Sequence, residues 1–194
     1  MLTESQQRER QKAIAGSLSD AGIGRAFHSR TLSELSRGAA LKAWVESEAR
    51  TDIPAGKAWN IVGPTAEARD TMILLARGMH LSGYGCRVVP LRRLVAQIVH
   101  NGDLMPEITG CMVLCVVDFV QVYPGQTTPP LTGHEVQITE AFLHERLDEQ
   151  QAVCVHASSP ITGVSWWSPP LVQRLHTLNQ TLDLSTPMRV RPRQ

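Results

Sequence analysis

The sequence predicts an α/β fold in three layers, with a parallel sheet between helices and a helical extension before it. Apolar segments of strand length alternate with amphipathic segments of helix length, the order typical of parallel sheets. Met112–Val117 and Ala152–His156 are continuously apolar, as in strands that are buried on both faces. Trp59–Leu75 has the pattern of a short strand, a turn opened by Gly63-Pro64 and an amphipathic helix.

Length and composition are those of one core with a small appendage: 194 residues, of which 42% are hydrophobic. The formal net charge of +1 excludes a protein that binds nucleic acid over its whole surface, but it allows a local basic patch. No apolar run approaches the roughly 18 residues of a membrane span. The first twelve residues are too polar for a secretory signal. We therefore expect a cytoplasmic protein without a membrane partner.

Cysteines and histidines give no sign of a metal site. The four cysteines stand singly in apolar segments, and no C-x₂-C pair occurs. Buried free thiols in a reducing cytosol are the simplest interpretation. The seven histidines lack the spacing of a metal site or a catalytic set, so we expect no metal and no nucleophilic triad.

Residues 1–50 are predicted to form a helical extension that is available to a partner, and residues 51–194 the α/β domain. Thr3–Ala15 reads as a polar helix that begins with a Thr3-x-x-Gln6 capping box, and Gly16–Gly24 is expected to break it. The later segments with apolar side chains toward a core are Arg25–Leu35 and a second helix, Ala39–Ala49.

The α/β domain is predicted to alternate strands with helices, and the Pro- and Gly-rich connection Val122–Leu131 is predicted to be a loop. A capping box, Thr132-Gly133-His134-Glu135, marks the start of its longest late helix. The expected strands are Ala58–Val62, Arg87–Pro90, Met112–Val117 and Ala152–His156, and the expected helices are Thr71–Leu81, Leu91–Val99, Thr132–Glu149 and Pro169–Asn179.

The strand–turn–helix at Gly63 has the layout of a phosphate-binding loop but little of its chemistry. The consensus G-x-x-x-x-G-K-[ST] uses glycines to expose backbone N–H groups, a lysine for the β- and γ-phosphates and a hydroxyl for Mg²⁺. Counted from Gly63, the later consensus positions hold Ala68, Arg69 and Asp70. We call residues 63–70 the phosphate seat.

Several further landmarks follow in a fixed order. They are Gly22-Ile23-Gly24-Arg25-Ala26-Phe27 with Thr31-Leu32, Gly63-Pro64, Gly83 with Arg87-Val88, Val113–Asp118, His144–Asp148, Ala152–Ser159, Gln173-Arg174-Leu175 and Met188-Arg189. In order and spacing, the chain from about Gly22 to Arg189 resembles the DnaC/IstB-like AAA+ ATPases, which load replicative helicases or assist transposases. The resemblance implies an AAA+-like P-loop fold, a nucleotide site at the seat and at Asp118, and a replicative helicase or another replication protein as partner.

The chain departs from that family at the positions of hydrolysis. Phe119 stands where the resemblance implies a water-activating carboxylate, and Ser158-Ser159 stand where it implies an asparagine that senses the γ-phosphate. Of the expected catalytic side chains, only Asp118 keeps its type. We therefore expect no catalytic residue, and weak or absent binding of ATP and Mg²⁺.

Acidic side chains are predicted to take the place of the triphosphate. A helix N-terminus favours an anion, and Glu67 or Asp70 is expected to cap it. Arg69 is expected to pair with Asp70, Glu67 or Asp118, although its planar fork also suits a phosphate. Asp118 is expected to be a structural hydrogen-bond acceptor.

Other candidates lie outside the seat. Adjacent residues of an extended chain point in opposite directions, so one of Trp166 and Trp167 is expected in the core while the other can meet a partner or a base. Candidate contacts with a neighbouring protein or with nucleic acid are Arg174, Arg189, Arg191 and Arg193.

These patterns favour a catalytically inactive helicase-loader-like protein of a phage or another mobile element, which acts by protein–protein binding in DNA replication. One alternative is a DNA-binding accessory in transposition or plasmid maintenance, and another is a divergent but active ATPase that uses Arg69. An oligomer is compatible with each.

Overall fold

A computed structural model describes residues 3–64, 66–100, 106–120, 131–163 and 165–185. The eight α-helices of these residues are α1 (Glu4–Asp20), α2 (Gly38–Ser47), α3 (Ala49–Asp52), α4 (Ala66–Leu81), α5 (Leu91–His100), α6 (Pro106–Thr109), α7 (Gly133–Asp148) and α8 (Pro169–Leu178). The five strands are β1 (Trp59–Val62), β2 (Cys86–Pro90), β3 (Val113–Val120), β4 (Ala152–Ala157) and β5 (Gln180–Asp183).

The strands form one parallel sheet in the order β2-β3-β4-β1-β5. One apolar cluster joins the sheet to α2 and α4, and a second joins its other face to α5, α7 and α8. Along β3, Val113, Cys115 and Val117 belong to the first cluster, whereas Leu114 and Val116 belong to the second. This alternation confirms the predicted three-layer α/β fold with strands that are buried on both faces.

Several predicted bounds were wrong. The first helix passes through Gly16 and ends at Asp20, where the sequence predicted an end at Ala15. The strand predicted from Met112 begins at Val113, and Met112 is exposed. The helix predicted around Thr71–Leu81, with Glu67 and Asp70 at its start, runs from Ala66 to Leu81. Most of the predicted loop Val122–Leu131 lies outside the described residues.

Strand β5 was not predicted, because its sequence is polar. Gln180, Thr181 and Asp183 are exposed at the edge of the sheet. A buried amide pair explains why the strand forms there. Asn179 accepts a hydrogen bond from the Ala58 N–H at 3.1 Å, and it donates to Asn60 Oδ1 at 2.8 Å and to the Val153 carbonyl at 2.7 Å. These bonds satisfy the buried amide and hold the start of β5 beside β1.

Helix α1 differs from the others in that it buries almost nothing. Of its 17 residues only Leu18 is buried. A helix that is polar on all sides lacks a face for its own core and leaves most of its surface to solvent or to a partner. After it, Ala21, Ile23 and Leu32 join the same apolar cluster as α2 and α4. The division at residue 50 stays a prediction.

All four cysteines are buried free thiols, as predicted. None of the described helices has the length and apolar character needed to cross a bilayer.

Candidate functional site

The turn between β1 and α4 is shorter than a phosphate-binding loop. Three residues, 63–65, separate the end of β1 at Val62 from the start of α4 at Ala66. The consensus places four residues between its two glycines, here positions 64–67. Two of these, Ala66 and Glu67, are already helical. The helix therefore begins two residues before Ala68, which stands at the second consensus glycine.

The chain's own atoms fill the space beside Gly63. A β-carbon on this glycine would lie 3.1 Å from the Ala68 β-carbon and 3.1 Å from the Leu184 β-carbon, which is closer than ordinary contact. Leu184 follows β5 and is held there because its N–H donates to the Val62 carbonyl at 2.6 Å. A side chain at position 63 would therefore require Ala68 and Leu184 to shift by a few tenths of an ångström, whereas in the consensus the glycine serves the approach of a phosphate.

The two carboxylates of the seat bind side chains of the N-terminal region. Arg30 Nη1 donates to Asp70 Oδ2 at 2.7 Å, and Ser36 Oγ donates to Glu67 Oε1 at 2.6 Å. We expected one of these carboxylates to cap α4. Instead, within the described part of the chain, neither accepts a bond from the backbone of that helix. Position explains this for Asp70, because it is the fifth residue of α4 and lies beyond the first four N–H groups that lack partners in the helix.

Arg69 pairs with Asp118, the third of the three partners that we considered for it. Its Nε lies 3.6 Å from Asp118 Oδ2, and half of the Arg69 side chain remains exposed. Asp118 ends the regular part of β3, where the pairing with β4 shifts register between Val116 and Val120. Its φ of +59° lies in the left-handed region, which aspartate tolerates better than most residues. The backbone thus turns the carboxylate toward α4.

His156 completes this cluster from the next strand, β4, and only 5% of it is exposed. Its Nδ1 lies 3.1 Å from the Asp118 N–H and 3.5 Å from Asp118 Oδ1. Nδ1 can accept from the N–H or donate to the carboxylate, but not both at once, and a hydrogen bond to the carboxylate stabilises its charged form. His156 Nε2 is buried without a hydrogen-bond partner in the described structure. His156, beside the carboxylate, and then Arg69 hold the pKa of Asp118 below its ordinary value.

Phe119 and Trp167 form a stacked pair on the opposite face of the sheet. Their ring centroids are 4.5 Å apart with an interplanar angle of 2°. Both side chains are buried, and the Trp167 indole N–H points to the Phe119 carbonyl at 3.4 Å. Phe119 therefore anchors the end of β3 in the core.

Trp166 is only partly buried, and its indole nitrogen is buried without a partner among the described residues.

Arg174 is engaged within the domain, where it joins α8 to α7. Its guanidinium lies 2.8 Å from Asp148 Oδ1 and 3.1 Å from His144 Nδ1. Its role at an interface stays a prediction. Arg189, Arg191 and Arg193 lie outside the described residues.

At this site the charged side chains pair with other side chains of the same chain. Two arginines, Arg30 and Arg69, face three carboxylates, Glu67, Asp70 and Asp118. In the described ranges no group of three or more metal-ligating side chains comes together. Sequence reasoning missed Arg30, Ser36, His156 and Leu184. His156 ends one predicted strand and Asp118 follows another, so their positions gave a signal for His156. No local pattern in the sequence marks the other three residues.

The lowered pKa of Asp118 gives a prediction of pH dependence. A carboxyl whose pKa is lower in the folded state stabilises the protein above the unfolded value of about 3.9, and that contribution is lost as the pH falls through the folded value. Asp118→Asn, which also tolerates a positive φ, should reduce the free energy of unfolding by about 1 kcal/mol at pH 7. Urea unfolding from pH 7 to pH 2 should show the difference from the wild type shrinking below about pH 4.

The matched control is Asp20→Asn, which alters an exposed carboxyl at the end of α1. It should leave the stability profile close to that of the wild type. Parallel profiles for Asp118→Asn and the wild type over the whole range would contradict this assignment.

Comparison with solved structures shows what fold this site belongs to. The DnaC helicase loader aligns with a TM-score of 0.65 at 11% identity, over 82% of this chain and 99% of that one. DnaI aligns with a TM-score of 0.62 at 10% identity, over 87% and 97%. DnaA from Aquifex aeolicus, bound to AMPPCP, aligns with a TM-score of 0.59 at 10% identity, and the chain spans about half of its length.

No family model and no curated protein matches the sequence. At identities of 10–11% the structural similarity establishes the fold. The comparison therefore confirms, for the fold alone, the resemblance stated from the sequence. This chain has the AAA+-like α/β fold of the DnaC and DnaI helicase loaders.

Proposed function

We propose that this chain is a helicase-loader-like protein that acts by binding a replicative helicase or another replication protein, and that its α/β domain neither binds ATP usefully nor hydrolyses it. The claim that the domain does not bind ATP rests on the narrow space at the phosphate seat, residues 63–70. Support for it comes from the early start of α4 at Ala66 and from the closeness of the Leu184 β-carbon to Gly63, which leave little room for a triphosphate beside this glycine. The fold shared with the DnaC helicase loader supports the first half.

Steric closure is a larger obstacle to nucleotide than charge. A bare carboxylate 4 Å from a phosphate would cost about 4 kcal/mol at an effective dielectric near 20. Arg30 compensates the charge of Asp70, so the repulsion here is smaller than that. A triphosphate would still have to displace Leu184 and unwind the first turn of α4. Phe119 also stands where a carboxylate would activate water for hydrolysis, so that position has no general base.

The partner is proposed to bind at α1. This helix offers about 21 Å of surface between Glu4 and Ser17 at a rise of 1.5 Å per residue, and every side chain of that stretch is at least partly exposed. Ordered but unburied helices of this kind gain their contacts from other molecules. Origin from a phage or another mobile element stays a prediction.

A second candidate is a DNA-binding accessory. The observation in its favour is that the DnaA initiator, solved with AMPPCP and single-stranded DNA, has a similar fold. Arg92 and Arg93 are exposed on α5 and suit phosphates. A divergent ATPase that uses Arg69 receives less support, because Asp118 already pairs with that guanidinium.

Calorimetry tests the closed seat. Titration of ATP with Mg²⁺ into the wild-type protein should give no heat of binding up to millimolar nucleotide. The triple variant Ala68→Gly, Arg69→Lys, Asp70→Ser restores the consensus side chains but leaves the turn at three residues, and it should also fail to bind. A micromolar dissociation constant for the wild type would refute the proposal. Binding by the variant alone would show that side chains, and not the closed turn, exclude the nucleotide.

Capture of the purified replicative helicase of the host tests the partner. The wild-type chain should retain it, and the double variant Arg8→Glu, Lys12→Glu should retain about tenfold less, equivalent to about 1.4 kcal/mol. Both altered residues are exposed on α1, and circular dichroism checks that the helix remains. Arg92→Glu with Arg93→Glu on α5 is the matched control and should bind normally. Failure of the wild type to retain the helicase would remove this partner.

A further inference from the structure

Residues 25–37, which we call the strap, run across the start of α4 between two fixed points. Before the strap, Ile23 is buried, and the Ala21 carbonyl accepts the Val88 N–H of β2 at 2.8 Å. After it, Gly38 begins α2 in close contact with the Leu32 carbonyl. The two ends of the strap are therefore anchored in the core, and only its middle can move without unfolding the domain.

The middle of the strap is held to the α/β domain by charged and polar groups. Arg30 binds Asp70, Ser36 binds Glu67, and the Arg37 guanidinium donates to the Asp183 carbonyl at the end of β5. These three contacts reach both sides of the turn at residues 63–65. Nearer the first anchor, Arg77 of α4 donates twice to the His28 carbonyl, at 2.9 and 3.1 Å.

Apolar burial holds the strap as well. Leu32 is its one fully buried side chain, while Phe27 and Leu35 are partly buried. The side chains of Arg30 and Asp70 remain 35% and 30% exposed, so water and salt reach the pair. Ion pairs with this exposure contribute little net stability and weaken as ionic strength rises. Opening of residues 30–37 therefore breaks these polar contacts and withdraws Leu32 from the first apolar cluster, while the sheet and the rest of both clusters can stay in place.

We propose that the strap is a releasable lid over the start of α4. It is closed by Arg30 on Asp70 and by Ser36 on Glu67, and it opens as a local unit over residues 30–37. Arg77 keeps residues 25–28 in place and so acts as the hinge. In the open form Glu67 and Asp70 lose their internal partners and become available to a cationic group. This inference concerns contacts within the chain and does not depend on the proposed partner or on the absence of nucleotide binding.

Hydrogen exchange of the full chain, read by mass spectrometry, tests the lid. The double variant Arg30→Gln, Ser36→Ala should speed exchange of the amides of residues 30–37 about tenfold, with β3 and β4 unchanged. Wild-type protein in 1 M NaCl should shift in the same direction, because the charge pair is screened. Asp70→Asn gives a second test that removes the charge at nearly constant volume.

The control is Arg25→Gln, an exposed residue of the same segment, which should exchange like the wild type. Unchanged exchange over residues 30–37 in both the double variant and Asp70→Asn would overturn the proposal. Faster exchange that also spreads to β3 and β4 would overturn it as well, because the strap would then be part of the global folding unit.

Discussion

The close packing of Gly63 against Ala68 and Leu184 is the contact on which the rest of the seat depends. On one side of Gly63 lies Ala68 in the first turns of α4, which begins at Ala66, and on the other lies Leu184. The Leu184 N–H bond to the Val62 carbonyl and the pairing of β5 with β1 keep the leucine in position. The polar edge strand β5 thus holds Leu184 beside the turn that follows β1.

Among the described residues, the charged side chains around the turn pair with other groups of the chain itself. Asp70 is neutralised from the strap, and Asp118 is held between Arg69 and His156. In a related nucleotide-binding protein these positions would face phosphates and a metal ion. Here the polar groups at the carboxyl edge of the sheet bind other side chains of the chain. This is consistent with a domain that serves as a scaffold and leaves binding to the exposed helix α1.

Patterns of neighbouring residues were sufficient for most of the fold. Continuous apolar runs located β3 and β4 and predicted their burial on both faces, and the capping box at Thr132 located the start of α7. Strand β5 escaped detection because buried amides from distant positions, Asn60 and Asn179, hold it in the sheet.

The most direct test is a crystal structure of the full chain soaked with millimolar AMPPCP and Mg²⁺. It should show α4 beginning at residue 66, Leu184 in contact with Gly63, Arg30 on Asp70, and no nucleotide density at residues 63–70. Triphosphate density over a widened turn, with Leu184 displaced, would contradict the closed seat and return the chain to the nucleotide-binding AAA+ proteins.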